Sequence, residues 1–266
     1  MWTRIYKGPK KMKAVAIIPA RMGSSRFPGK PMAKIQGIPM IGHCYQRTNM
    51  CKDLAATYVA TCDKEIYDYI ESIGGKAVMT ADTHERATDR TAEAMLKIEN
   101  ELGVKLDIVV MVQGDEPMVV PEMISESLMP FNGDSSVQVV NLMAFMETVT
   151  DFEDPNEVKV VVDKNNYAIY FSREPIPSRK KGVLDVPMLK QVCVIPFKRN
   201  YLLKFNETPE TDLERIESVD MMRIIENGEK VKMVMTKSKS FSVDTVEDLQ
   251  RVDKEMSNDT LVTRYQ

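Results

Sequence analysis

Three cations crowd one short loop near the start of the chain: Arg21, Arg26 and Lys30. They follow an apolar run, Ala14 to Ile18, and share the loop with Gly23, Ser24, Ser25 and Gly29. Glycines let backbone N–H groups approach an anion, and Arg and Lys supply charge, so the loop has the chemistry of a phosphate cradle. It is not a P-loop. Five residues separate Gly23 from Gly29, one more than that motif allows, and Lys30 is followed by Pro31 rather than Ser or Thr. No G-x-G-x-x-G is present, so a dinucleotide fingerprint is absent too. An ordinary basic surface loop is the competing reading.

The acidic candidates lie in two other places. Gln113-Gly114-Asp115-Glu116-Pro117 directly follows the apolar run ending at Val112. Ligands of open α/β sheets bind beyond the carboxyl ends of strands, and two carboxylates there can hold a divalent cation through oxygen. Asp115 and Glu116 can equally form a turn and a helix cap. Asp244 opens Asp-Thr-Val-Glu-Asp-Leu, where Thr245 or Asp244 can cap a helix with Asp248 or Glu247 as partner. Arg86 and Arg90 crowd a helix start, which the helix dipole disfavours unless an anion sits there or the side chains simply point into solvent.

Other chemistries are argued against. Only His43 and His84 are histidines, which leaves no basis for a multi-histidine metal site or a histidine triad. Cys44, Cys51, Cys62 and Cys193 match no zinc or redox spacing and read as reduced, mostly buried thiols. The net charge of −3 gives no bulk attraction to nucleic acid or membrane. No apolar run reaches the length of a membrane span and no signal peptide is visible, so a cytoplasmic protein is expected. Catalysis must rest on carboxylates, cations and backbone.

The run Ile17-Ile18-Pro19-Ala20-Arg21, with Ser24, Arg26, Pro28, Gly29, Lys30 and Pro31 behind it, resembles the opening of the CMP-Kdo synthetases. These 3-deoxy-manno-octulosonate cytidylyltransferases belong to the sugar nucleotidyltransferases. Gln113 to Pro117, Asp154-Pro155-Asn156, Tyr167 to Arg173 and Val243 to Leu249 match the same family, as do His84, Thr88, Asp89 and Arg90. The resemblance covers roughly residues 13–256. It implies that Arg21, Arg26 and Lys30 hold the triphosphate of CTP. Pro19 and Ala20 would read the base through backbone, with Arg90 and Gln113 in support. Asp115 and Asp244 would hold Mg²⁺, and Arg21, Lys30, Asp115 and Asp244 would form the catalytic set. Gln113, Arg173, Gln191 and Met221 would face the acceptor. The chain departs from the family at Arg86, where a small residue is usual, and at Ala87, where glycine is usual. Gln191, Ile195 and Met221 replace the family's acceptor-binding His, Tyr and Gln.

The implied activity is transfer of CMP from CTP to an acidic acceptor, Kdo or a modified Kdo, with release of pyrophosphate. The changed acceptor positions argue for a modified ulosonic acid, with Arg86, Lys190 and Lys198 as anion partners. A small acid such as a phosphonate is the alternative acceptor. A metal-dependent glycosyltransferase or an inactive nucleotide-binding subunit are more distant readings. A homodimer is implied by the resemblance.

To position these residues the sequence predicts one α/β domain of Rossmann-like nucleotidyltransferase fold: a mainly parallel central sheet with helices on both faces. A small antiparallel dimerisation and acceptor insertion is expected at about 155–200. Strands are expected at 57–61, 76–80, 107–112, 137–146, 190–197 and 231–236, with a hairpin joining 158–162 to 167–171. Helices are expected at 39–50, 64–73 (capped by Asp63), 121–129, 198–206, 211–216 and 218–226, with another running from a Thr88 cap to Leu102 and a last one ending near Met256. Residues 174–188, rich in proline and lysine, read as an exposed, mobile loop. Residues 1–12 read as a leader, with Met12 a plausible alternative start, 13–256 as the cytidylyltransferase domain, and 257–266 as a frayed tail.

Overall fold

A computed structural model describes residues 12–23 and 26–266; apart from Met12, the expected leader lies outside the described residues. The chain opens with β1 (Ala14–Ala20), whose residues are all buried, as an uninterrupted apolar run requires. A short hairpin of β2 (Lys34–Ile35) and β3 (Ile38–Pro39) leads into α1 (Met40–Asn49). There follow β4 (Ala56–Thr61), α2 (Lys64–Ser72), β5 (Ala77–Met79), α3 (Ala87–Leu102), β6 (Ile108–Val112) and α4 (Pro121–Gly133). Next come β7 (Val140–Phe145), α5 (Val149–Glu153), β8 (Lys159–Val162) and β9 (Ala168–Ser172). The chain ends with β10 (Leu189–Val192), β11 (Val194–Lys198), α6 (Arg199–Glu207), α7 (Asp212–Glu217), α8 (Met221–Glu226), β12 (Lys232–Met235) and α9 (Val246–Met256).

The first sheet has the order β5-β4-β1-β6-β11. Its first four strands are parallel, and β11 runs antiparallel along β6. Ile17 lies level with Tyr58 of β4 and Met111 of β6, so the loops leaving β1 and β6 open on the same edge. Alternate residues of β1 serve opposite faces. Val15 and Ile17 pack with Met95 and Ile98 of α3 and Phe205 of α6. Ala16 and Ile18 pack with Ile41 of α1 and Met123 of α4. Each large side chain so buried contributes about 1.5–3 kcal/mol.

The second sheet, β12-β7-β10-β8-β9, is mixed: β12 is parallel to β7 and the other pairings are antiparallel. A bridge between Val139 and Phe197 links the two sheets. The expected small antiparallel insertion at about 155–200 is corrected in one respect: its strands belong to a larger, mixed sheet. The strands β8, β9 and β10 are completed by β7 and β12, and β11 belongs to the first sheet. The strand predicted over 190–197 is accordingly two strands, broken at Cys193. There the N–H donates to the Glu116 carboxylate rather than to a neighbouring strand, while the carbonyl accepts from the Gln113 N–H beyond the end of β6.

Other local differences have equally specific causes. Asp63 does not cap α2 with its side chain; its carboxylate accepts instead from the Met22 N–H at 2.8 Å. Thr88 does not cap α3, which starts a residue earlier, and its hydroxyl donates to Asp220. Residues 257–266 pack onto α1 rather than fraying. The buried Arg47 pairs with Asp259 at 2.7 Å, the Tyr265 hydroxyl meets His43 Nδ1 at 2.8 Å, and Val262 joins Ile35, Met40 and Met256 in a third cluster. Of the caps the sequence allows at the start of α9, the Thr245–Asp248 box is the one formed.

Candidate active site

The site forms where the loops after β1 and β6 meet. Gly114 permits the meeting: a Cβ there would stand 2.9 Å from the Pro19 carbonyl oxygen and 3.4 Å from Ala20 Cβ. The cationic loop turns back on itself, with the Gly29 N–H bonded to the Met22 carbonyl at 3.0 Å. Gly29 takes φ 73°, a conformation glycine adopts without strain, and delivers Lys30 to the Asp115 side. From the far end of the chain, the turn before α9 brings in Asp244. Since Thr245 does the capping, the Asp244 carboxylate is free to face the same point.

That point is the Lys30 ammonium. Nζ lies 2.9 Å from Asp115 Oδ2 and 3.4 Å from Asp244 Oδ1, and donates to the Val243 carbonyl at 2.7 Å. Burial works against its charge, but the two carboxylates outweigh burial and raise its pKa, so it stays an ammonium. Arg26 spans outward from the same cluster. One guanidinium nitrogen lies 2.8 Å from Asp244 Oδ1 and the other donates to Asn156 Oδ1 at 2.9 Å.

Two clefts meet here. One, of about 300 Å³, runs from Pro19, Ala20 and Arg21 past Lys30 to Arg90. The other, of about 160 Å³, is walled by Arg173, Gln191, Ile195 and Met221. Arg26, Gln113 and Asp115 line both. In the larger cleft Arg21 is exposed and its guanidinium reaches the His84 carbonyl at 3.5 Å. Arg90 is buried beside Thr80 and the Ala81 carbonyl, and its Nη2 has no partner among the described residues. In the smaller cleft Arg173 donates to the carbonyls of Pro155, Glu217 and Ser218. Gln191 donates to Asn141 Oδ1 at 2.6 Å, while Ile195 and Met221 give this cleft an apolar floor.

The backbone of Glu116 closes one of the turns the sequence allowed, its N–H donating to the Gln113 carbonyl at 3.2 Å, while its side chain is committed away from any metal. It is buried, accepting from the Cys193 N–H at 3.1 Å and the Ser240 hydroxyl at 2.6 Å. Burial pushes its pKa up to about 7, against the pull of the Ser240 bond. It braces the break between β10 and β11. Three cations assigned to the acceptor are committed elsewhere, which corrects that expectation. Arg86 pairs with Glu210, Glu214 and Asp220, Lys190 with Glu157 at 3.0 Å, and Lys198 donates to the Ser135 carbonyl. Asn156 and Asp220, which sequence reasoning did not place at the site, both line the smaller cleft. The Asp-Pro-Asn motif carried the signal for Asn156; nothing local marks Asp220.

Among the described residues no cluster of three or more His, Cys, Asp or Glu side chains is arranged to hold a metal. The two converging carboxylates are nevertheless hard oxygen donors aimed at one cation, a donor set that suits Mg²⁺ completed by water and phosphate oxygens.

Residues 15–231 match the family model described as cytidylyltransferase. The 3-deoxy-manno-octulosonate cytidylyltransferase of Trichlorobacter lovleyi is 40% identical over 255 residues, covering 92% of this chain and 99% of that protein. The 8-amino-3,8-dideoxy-manno-octulosonate cytidylyltransferase of Shewanella baltica is 38% identical over 250 residues, covering 93% and 100%. A solved structure of CMP:2-keto-3-deoxy-manno-octonic acid synthetase complexed with CTP aligns with a TM-score of 0.83 at 36% identity, covering 92% of this chain and 98% of that one.

Proposed function

The chain belongs to the cytidylyltransferase family, and from that premise we propose that it transfers CMP from CTP to a hydroxyl of Kdo or 8-amino-Kdo. The acceptor oxygen bonds to the α-phosphorus, the bond from that phosphorus to the bridging oxygen breaks, and pyrophosphate leaves. The hydroxyl proton passes to solvent. The observation that carries this reading is the convergence of Asp115 and Asp244 on Lys30 where the two clefts meet. The larger cleft takes the nucleotide: Arg21, Arg26 and Lys30 neutralise the triphosphate, and the backbone at Pro19 and Ala20 meets the base, with Arg90 and Gln113 beside it. The smaller cleft takes the acceptor against Gln113, Arg173, Gln191 and Met221. Catalysis by these side chains is positioning and charge neutralisation.

Asp115 and Asp244 would hold Mg²⁺ through oxygen. When bound, that ion supplies Lewis-acid polarisation of the α-phosphate and a lowered pKa for the attacking hydroxyl. Lys30, released from the carboxylates, faces the departing pyrophosphate. A homodimer is supported by exposed apolar side chains within 155–200, among them Ile169 on the edge strand β9 and Val183 and Leu184 in the following loop. No helix among the described residues is long and apolar enough to cross a membrane, which is compatible with work in the cytoplasm.

The test is pyrophosphate release with Mg²⁺, each of the four nucleoside triphosphates, and Kdo or 8-amino-Kdo. Release with CTP and one of these acids is expected. A strong preference for 8-amino-Kdo would mean that Gln191, Ile195 and Met221 mark a modified acceptor; full turnover with Kdo would mean that they do not. Silence with both acids, while CTP binds, would overturn the acceptor assignment.

A further inference from the structure

We infer that Lys159 is a positioning residue whose buried ammonium sets the shape of the smaller cleft by gathering main-chain carbonyls from two of its walls. The inference rests on the assignment of that cleft to the acceptor. Lys159 lies in β8 and is 0% exposed. No carboxylate oxygen among the described residues is hydrogen-bonded to it. Nζ donates instead to the carbonyls of Asp154 at 2.8 Å and Glu157 at 2.7 Å, and to that of Arg173. An ammonium has three donors, and all three are spent on backbone.

Those carbonyls belong to the pieces that wall the cleft. The 154–157 turn presents Asn156, which holds Arg26, and Glu157, which holds Lys190. Arg173 in turn donates to the carbonyls of Pro155 at 2.8 Å and Glu217 at 2.8 Å, which fixes the turn before α8. Two cations therefore stitch three separate segments through carbonyls, and Asn156, Glu157, Arg173 and Ser218 of those segments line the cleft. A buried ion adds little stability over a well-packed apolar residue of the same size. Without the ammonium, however, three inward-facing carbonyls would lose their donor. The geometry it imposes is the reason for a cation at this position.

Charge is part of the device. Burial lowers the pKa of Lys159, partly offset by the carboxylates of Asp154 and Glu157; Arg173 adds to the lowering and Glu174 opposes it. Lys190 is the other cation nearby, paired with Glu157. Once Lys159 is deprotonated, the amine keeps two donors and releases one carbonyl.

The experiment compares wild type with Lys159→Met, which keeps length and removes the ammonium. Backbone hydrogen exchange, read without substrate, should quicken at 154–157 and 173–174 and stay unchanged in the 26–32 loop. CTP binding by calorimetry should stay within about twofold, while kcat/KM for the acceptor should fall about tenfold or more, the scale of one charge-assisted hydrogen bond. Unchanged exchange at 154–157, or an equal loss of CTP binding and acceptor use, overturns the inference. If wild type itself releases no pyrophosphate, the functional reading fails and hydrogen exchange alone decides the role of Lys159. If Lys159→Met does not fold, the pH profile decides: acceptor kcat/KM should fall on the alkaline side, and Lys159→Arg, which stays charged, should move that fall to higher pH. Identical profiles overturn the inference.

Discussion

Lys30 is bonded to both carboxylates of the proposed catalytic set, so replacing either carboxylate acts on two functions at once. Asp115→Asn or Asp244→Asn should lower kcat by about 10²–10³-fold, with CTP binding largely kept; unchanged turnover of Asp115→Asn with Mg²⁺ would sink the mechanism. Gly114→Ala tests the approach of the two loops. Its Cβ would meet the Pro19 carbonyl at 2.9 Å, so a destabilisation of about 1–3 kcal/mol is expected in a denaturant titration, with loss of activity because Asp115 is displaced. Which residues were legible in the sequence follows from how far away their partners lie. The cations at 21–30 and the carboxylates at 115 and 244 sit in contiguous motifs, each complete within a few residues. Arg86 was misread because Glu210, Glu214 and Asp220 lie far along the chain, and nothing near Arg86 announces them.

Elements were legible where one face or one cap decides them. The buried run of β1, the Gly103 stop of α3 and the Thr245 box of α9 each carry their cause locally. The split of 190–197 and the docking of 257–266 do not, since both depend on side chains from elsewhere: Glu116 for the first, His43 and Arg47 for the second. That docking has a pH signature. His43 Nε2 lies 2.7 Å from the Ile35 carbonyl, which can only accept, so Nε2 carries the proton and Nδ1 accepts from Tyr265. Burial lowers the His43 pKa, with Arg47 adding to the effect and the Ile35 bond opposing it. A lowered folded-state value means that stability is complete above the ordinary histidine range near pH 6.5 and is lost as pH falls below it. Thermal unfolding from about pH 7 down to about pH 5 should therefore show a loss in wild type that is smaller in His43→Gln. Equal losses would place the acid sensitivity elsewhere.

At the scale of the whole molecule, two sheets share one seam. The Val139–Phe197 bridge and the Cys193 break lie along it, and the smaller cleft opens there. The sequence showed an α/β chain with a mainly parallel first sheet. It did not show the second sheet, because β7, β10 and β12 come from segments far apart in sequence. If the exposed apolar side chains at 155–200 form a contact between two copies, sedimentation should give a dimer at micromolar concentration, and Ile169→Lys should shift it toward monomer without altering CTP affinity. A wild-type monomer at all concentrations would remove the dimer.

The Lys30 ammonium sits where the two carboxylates would meet a divalent ion, so the free protein carries its own competitor for that ion. Metal and triphosphate then help each other by thermodynamic reciprocity, because phosphates that draw Lys30 away vacate the carboxylates. Removing the competitor uncouples the two ligands. Lys30→Met should bind Mg²⁺ or Mn²⁺ more tightly than wild type in calorimetry without nucleotide, while binding CTP more weakly. Weaker metal binding by that variant would show that Lys30 aligns the carboxylates rather than standing in for the ion.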